Sequence, residues 1–173
     1  MRAFVGIDIT DARTASALES VRIELGVPRG PRQDHVTLAF LGEIDAQAAA
    51  AAADALAGVR FGAFDAQVAG LGAFPSPRRA RVVWAGIRGG AGEAAGLARL
   101  VAAALGLEAP ARLVPHVTVS RVKSGQPPPL GVIRAHRDTE FGVQRVTSFS
   151  LKRSDPDGAR HVHTALRTVE ASP

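Results

Sequence analysis

The 173 residues fit a single domain, and no stretch is apolar enough to cross a bilayer or to act as a signal peptide, so we expect a cytoplasmic protein with no membrane partner. The absence of cysteine excludes disulfides, thiol nucleophiles and thiolate metal sites. A net charge of +5 and an isoelectric point of about 11.1 favour an anionic partner, although a compositional bias towards arginine accounts for the same values equally well.

The first half of the chain alternates between the periodicities of strands and helices. Helical spacing stops at Gly26 and again at Gly58, so each glycine is expected to end a helix. Pro75-Ser76-Pro77 is expected to turn the chain between two strands. The predicted elements are a strand over 2–9, a helix over 11–25, a strand over 34–41, a helix over 45–57, and a hairpin of strands over 61–73 and 81–87.

The second half shows the same mixture of patterns. Three consecutive prolines mark 124–130 as a loop. The predicted elements are a helix over 93–105, a strand over 115–122, a short turn of helix over 131–137, and a final hairpin of strands over 142–153 and 160–169. Because helices are interspersed with antiparallel hairpins, the predicted fold class is α+β.

An internal repeat of about 80 residues is the most informative feature of the sequence. His35-Val36-Thr37-Leu38 returns after 81 residues as His116-Val117-Thr118-Val119. Phe61-Gly62 returns after 80 residues as Phe141-Gly142, and the run over 81–87 is matched after 79 residues by the run over 160–166. Two copies predict one domain over 1–173, made of two interleaved lobes related by a pseudo-twofold axis, because a solenoid requires more copies.

The repeated His-Val-Thr tripeptide places imidazoles and hydroxyls on matching faces of two strands. Chance predicts about 0.02 occurrences at this composition, and the chain has two. Residues i and i+2 of a strand share a face, so His35 points the same way as Thr37, and His116 the same way as Thr118. If both pairs meet in one groove, one imidazole can act as general acid and the other as general base while the hydroxyls hold a phosphoryl group. This scheme requires no metal and no cofactor.

The histidines also allow a purely structural role or a metal site. Each could be a hydrogen-bonded strand residue without a chemical role, which fits one isolated histidine better than two matched pairs. A metal site would lack carboxylates beside either motif except Asp34, and strand alternation turns that residue away from His35. His161 and His163 share a face of the last strand, but the repeat aligns His163 with Trp84, which we expect in the core. This alignment favours the interpretation that His161 and His163 lie on a partly exposed strand face, over the alternatives of an RNA contact or a metal pair.

The two H-x-T-x motifs, with Phe40-Leu41-Gly42 after the first and Arg121 after the second, resemble the two-histidine phosphoesterase superfamily. Within it the chain is most similar to the bacterial and archaeal RNA 2′,3′-cyclic phosphodiesterases, historically called 2′–5′ RNA ligases. The resemblance covers nearly the whole chain, because the first strand, both motifs and the last hairpin fall in the expected order. It implies a bilobal α+β fold in which antiparallel sheets from the two lobes flank a central catalytic cleft and the helices pack outside.

The resemblance also implies roles for individual residues. His35 would protonate the departing 3′ oxygen and His116 would activate water, leaving a 2′-phosphate, although the near symmetry of the motifs allows these two labels to be exchanged. Thr37, Thr118 and Arg121 would bind the phosphate, with Arg121 neutralising the charge that grows in the transition state.

Phe40 would stack on the nucleobase beside the phosphate. Phe40 and Arg121 each follow their histidine by five residues. An odd offset puts them off the histidine face of a regular strand, so either the strand ends or bulges there or one of the two roles is wrong.

The implied partner is RNA with a 2′,3′-cyclic phosphate end, and reversal of related chemistry could join RNA fragments through a 2′–5′ bond. The same residues would suit a small cyclic-phosphate nucleotide or an oligoadenylate, and a non-catalytic module that grips RNA phosphate is an alternative of another class. We expect a monomer, because the internal symmetry already completes the site. Basic clusters near predicted turns, Arg29 with Arg32, Arg78-Arg79-Arg81 and Lys152-Arg153, could line the cleft or be solvated loop charge.

Overall fold

The computed structural model describes residues 1–109, 113–158 and 160–172, which form eight strands, four α-helices and one 3-10 turn. The elements in chain order are β1 (Arg2–Asp8), α1 (Ala12–Glu24), β2 (His35–Glu43), α2 (Ala46–Leu56), β3 (Phe64–Phe74), the 3-10 turn (Pro77–Arg79), β4 (Val82–Ile87), α3 (Ala91–Ala104), β5 (His116–Arg121), α4 (Leu130–Ala135), β6 (Glu140–Val146), β7 (Ser148–Asp157) and β8 (Arg160–Glu170). Within these ranges no helix combines the length and apolarity needed to span a membrane.

All eight strands belong to one antiparallel sheet in the order β6-β3-β4-β5-β2-β1-β7-β8, which confirms the α+β class. The sheet order is symmetric about the contact between β2 and β5. On each side of that contact, a strand–helix–strand unit supplies two neighbouring strands, β1-α1-β2 on one side and β4-α3-β5 on the other. The sheets expected of two lobes are therefore two four-stranded halves of one continuous sheet.

The helices that link these strands cross from one half to the other. α1 follows β1 but packs against β5 and β6, and α3 follows β4 but packs mainly against β2, with a smaller contact to β3. Gln144 of β6 holds the start of α1, where its side-chain oxygen accepts the N–H groups of Thr10 (2.7 Å) and Asp11 (2.9 Å). Apolar residues of both helices, including Leu18 of α1 and Val101 of α3, are fully buried. One core therefore underlies both halves.

The single strand predicted over 142–153 is wrong. The chain forms two strands there: β6 ends at Val146 and pairs with β3, whereas β7 begins at Ser148 and pairs with β1 and β8. The spacing of apolar residues changes phase at Val146, but strand-like runs lie on both sides of Thr147, so the pattern does not reveal that the chain passes from one edge of the sheet to the other half. The other predicted elements are present, with ends that differ by three residues at most.

Candidate active site

The two His-Thr pairs lie on one face of the sheet, where β2 meets β5. Val36 and Val117 are directly opposite each other and are 1% and 0% exposed, so both face the core. Side chains alternate along a strand, and directly opposed residues share a face. The side chains on the opposite, partly exposed face are therefore those of His35, Thr37, His116 and Thr118.

The strands are antiparallel at this contact, so the histidine of each motif lies towards the threonine of the other. Continuing the register by one residue in each direction puts His35 opposite Thr118 and Thr37 opposite His116. The two histidines then become diagonal neighbours, which lie about 7–8 Å apart in a regular sheet, with their Cβ atoms somewhat closer. This separation leaves room for one phosphoryl group between the imidazoles, with a hydroxyl beside each of them.

Both imidazoles are held through the same ring nitrogen. Nδ1 of His35 lies 2.8 Å from the carbonyl oxygen of Gln33, and Nδ1 of His116 lies 2.7 Å from that of Val114. A carbonyl oxygen can only accept a hydrogen bond, so Nδ1 carries a proton in each ring. The lone pair of the neutral ring is then at Nε2. Each histidine can therefore give or take a proton at Nε2 without breaking the bond that orients it.

Two rings pack against His35. The ring centroid of Phe4 lies 4.7 Å away, and that of His163 lies 5.0 Å away and edge-on at 84°. Burial behind these groups lowers the pKa of His35 below 6.5, because a poorly solvated site disfavours the charged ring. The hydrogen bond to Gln33 opposes this effect, and the charge of the buried Lys152 adds to it. The neutral form of the His35 ring is therefore favoured in the free protein.

Two rings also pack against His116. The centroids of Phe74 and Trp84 lie 5.1 Å and 5.9 Å from it. Trp84 is only partly buried, so it is a wall of the site and not the core residue that its strand pattern predicts. Its ring covers Gly72 on the neighbouring strand, where a Cβ atom would collide with the indole. Glycine at this position therefore leaves room for the indole to lie over the neighbouring strand and contact the histidine.

A bulge in each histidine strand resolves the odd offset of Phe40 and Arg121. Between His35 and Phe40, β2 contains one extra residue, Leu38, relative to β1, and β5 contains one extra residue, Val119, relative to β4. Both follow their histidine by three residues. One extra residue shifts the alternation by one, which returns Phe40 and Arg121 to the histidine face. Phe40 is 75% exposed there, and Arg121 is also exposed.

His163 is the site residue that sequence reasoning missed. The strand pattern predicts a face without a role in the site, yet the ring of His163 packs against His35. Burial, together with the charges of His35 and Lys152, lowers its pKa to about 4. The internal repeat contained a signal for this position, because His163 follows Trp84 by 79 residues. Each of these two residues packs against the histidine of one motif. His161, two residues earlier, is exposed.

A groove of about 790 Å³ lies beside the site and includes Thr118 and Arg121 in its lining. The loop after α1 contributes Arg29 and Arg32 to it, and Lys123 follows β5. The arginines of the turn over 78–81 do not line this groove. Of the two arginine clusters noted in the sequence, one therefore lies next to the phosphate-binding candidates.

The chain is similar to known phosphoesterases over most of its length. Residues 10–84 match the family described as LigT like Phosphoesterase. An RNA 2′,3′-cyclic phosphodiesterase of Aeropyrum pernix is 36% identical over 159 residues, which cover 85% of this chain and 89% of that protein. The enzyme of the same name from Archaeoglobus fulgidus is 33% identical over 178 residues, with coverage of 98% and 100%. The crystal structure of E. coli LigT complexed with NADP+ is 26% identical, with a TM-score of 0.69 and coverage of 99% and 98%.

Proposed function

Because this chain belongs to the LigT-like phosphoesterase family, we propose that it is an RNA 2′,3′-cyclic phosphodiesterase that leaves a 2′-phosphate. The relatives of that name support the activity. The observation that carries the mechanism is the meeting of the two His-Thr pairs on one face of the sheet, with each imidazole held through Nδ1.

The reaction requires one proton to leave a water molecule and another to reach the departing oxygen. Nε2 of His116 takes the proton from water as the water oxygen bonds to phosphorus. Nε2 of His35 gives its proton to the 3′ oxygen as the bond between that oxygen and phosphorus breaks. The phosphate stays on the 2′ oxygen, and solvent restores both histidines. No step requires a metal or a cofactor.

The other residues of this face hold the phosphate. Hydroxyls of Thr37 and Thr118 donate to its non-bridging oxygens, and the guanidinium of Arg121 neutralises charge that grows in the transition state. Phe40, exposed at the end of the same face, stacks on the neighbouring base. A 5′-hydroxyl of a second RNA in place of water would form a 2′–5′ bond through the same proton transfers.

The acid role of His35 depends on the substrate. Burial keeps its ring neutral in the free protein, whereas a general acid must enter the reaction protonated. A bound phosphate next to Nε2 is negatively charged and raises the pKa of the ring again. The exchange of roles, with His35 as base, would not need this help.

We further propose that one chain is a complete cytoplasmic enzyme in a single domain of two interleaved lobes. Both motifs come from the same chain and meet without a partner, which supports a monomer.

The test is incubation of the protein with a cyclic-phosphate RNA in the presence of EDTA, followed by identification of the product end. We expect a 2′-phosphate at an undiminished rate. His35→Ala and His116→Ala should each lower kcat about 100- to 10,000-fold, and the double variant should lose little more, because the two act as a unit. His161→Ala is the matched control, because it also removes an imidazole, but one that is exposed to solvent.

Dependence of turnover on an added divalent cation would refute the metal-free scheme. RNA binding that persists without turnover in the wild type would instead support a phosphate-gripping module.

A further inference from the structure

The groove beside the site gathers positive charge. Its described lining contains four cations and no carboxylate: Arg29, Arg32, Arg121 and Lys123. Arg32 donates to the Pro28 carbonyl and lies 3.9 Å from Glu19. The other three cations form no ion pair with any residue that the structure describes. Cations held together without counter-charge repel one another and attract a polyanion.

The groove is also larger than the proposed reaction requires. Its volume of about 790 Å³ lies in the upper part of the range for small-molecule sites, and one phosphate fills only a fraction of it. Thr118 and Arg121 belong both to the groove and to the phosphate-binding face. A ligand with its terminal phosphate between the histidines would therefore continue past these two residues towards Arg29 and Lys123.

We infer that this groove binds the internucleotide phosphates that precede the cyclic end, so that the preferred substrate is an oligonucleotide and not a mononucleotide. The inference rests on the proposed function and names its substrate class. Arginine pairs with phosphate through two parallel hydrogen bonds, which suits a backbone track.

The test compares kcat/KM for a nucleoside 2′,3′-cyclic phosphate, a dinucleotide and a tetranucleotide with the same 3′ end. We expect kcat/KM to rise with length. Arg29→Ala and Lys123→Ala should each lower the value for the tetranucleotide about tenfold more than that for the mononucleotide. Each should also reduce the slope of log kcat/KM against log salt by about 0.7. Arg13→Ala, an exposed arginine of α1 outside the groove, should change neither value.

The outcomes separate the two proposals. Equal use of all lengths, or equal losses on the long and short substrates in the variants, would overturn the groove assignment and leave the phosphodiesterase activity standing. Absence of turnover at every length would overturn the proposed function itself.

Gln33 forms hydrogen bonds with both His35 and His163. Its carbonyl oxygen accepts the Nδ1–H of His35 at 2.8 Å. Its side-chain nitrogen donates to the His163 carbonyl at 2.8 Å, and its side-chain oxygen accepts the His163 N–H at 2.7 Å. One residue therefore ties β8 to the histidine of the first motif. Val114, which holds His116 in the same way, has no amide side chain to form such a link.

The geometry points to Gln33 and His163 as positioning residues that fix the ring of His35 and distinguish its role from that of His116. Gln33 places β8 so that the ring of His163 lies edge-on to His35. The charged and titratable groups around His35 come from each neighbouring element: Asp8 of β1, Asp34 beside it, Lys152 of β7 and His163 of β8. Removal of the His163 ring admits water and brings the pKa of His35 closer to its ordinary value.

The test is titration of the His35 ring by NMR, together with steady-state kinetics, in Gln33→Ala, His163→Ala and His163→Phe. We expect kcat to fall about tenfold in the two alanine variants with KM nearly unchanged. The pKa of His35 should rise in His163→Ala, and His163→Phe should restore it because the ring wall is rebuilt. His161→Ala on the same strand should leave both quantities unchanged. A lower melting temperature with an unaltered kcat and His35 titration would make the two residues merely structural and overturn the assignment.

Discussion

Arg22 of α1 contacts both histidine strands, so its substitution tests how strongly α1 holds them together. Its side chain is 2% exposed, forms an ion pair with Asp34, and donates from Nε to the carbonyl oxygen of Val119 at 3.2 Å. Asp34 immediately precedes His35 on β2, and Val119 is the bulged residue of β5. Substitution with methionine keeps the length of the side chain and removes all of these bonds.

The cost of Arg22→Met follows from what is left behind. Asp34, whose side chain is 8% exposed, becomes a buried carboxylate without its partner, and the Val119 carbonyl loses its donor. Breaking a buried pair from one side costs about 3–5 kcal/mol. At about 2–4 °C per kcal/mol for a chain of this size, the melting temperature should fall by about 6–20 °C.

Urea unfolding measures this loss, with the fluorescence of Trp84, the one tryptophan of the chain, as the probe. Arg13→Met, on the exposed face of the same helix, should stay within about 0.5 kcal/mol of the wild type. Asp34→Asn in the Arg22→Met background should recover part of the loss, because it removes the stranded charge. A folded Arg22→Met variant within about 1 kcal/mol of the wild type would refute this reasoning.

Three further predictions concern the walls of the site. Phe40→Ala should raise KM for RNA about 5- to 150-fold with an unchanged melting temperature, because base stacking contributes about 1–3 kcal/mol and the exposed ring supports no core. Gly72→Ala should cost about 1–3 kcal/mol by urea unfolding and also lower kcat, because the new methyl group displaces Trp84; Gly96→Ala, in open space on α3, should do neither. The free energy of unfolding should fall as the pH drops from 6.5 to about 4, because the unfolded chain protonates His163 at its ordinary pKa and the folded chain does so only near 4. His163→Gln should make that decline shallower.

Each of these predictions has an opposing result. A melting temperature that falls with Phe40→Ala would show that the Phe40 ring stabilises the fold. Full activity in Gly72→Ala would separate Trp84 from the reaction. An acid decline of equal steepness in His163→Gln would assign it to other groups.

Sequence periodicity was sufficient to predict the motif strands, because alternation is a local property. His35 and Thr37 share a face wherever the strand lies, and the buried residues between them fix which face meets the core. The candidate site on that face could therefore be predicted from the sequence alone. The bulges at Leu38 and Val119 were anticipated only as one of two options, because an extra residue is defined by the neighbouring strand and not by its own sequence.

The residues that the sequence did not place are neighbours across strands. His163 reaches His35 through the curvature of the sheet and the amide of Gln33, neither of which has a local signature. The break at Thr147 was missed for a related reason: β6 and β7 both have strand-like sequences, and it is their different partners, β3 and β1, that separate them.

The crossing of α1 and α3 has a consequence for how this protein can be divided. α1 packs against β5 and β6, and α3 packs against β2 and β3, so a cut at the 3-10 turn between β3 and β4 would leave each helix on the fragment that lacks the strands it covers. Neither fragment should fold into an active enzyme by itself, and each would expose an apolar surface until the two fragments associated. We therefore expect the molecule to unfold cooperatively as one unit, although its architecture contains two copies of a motif.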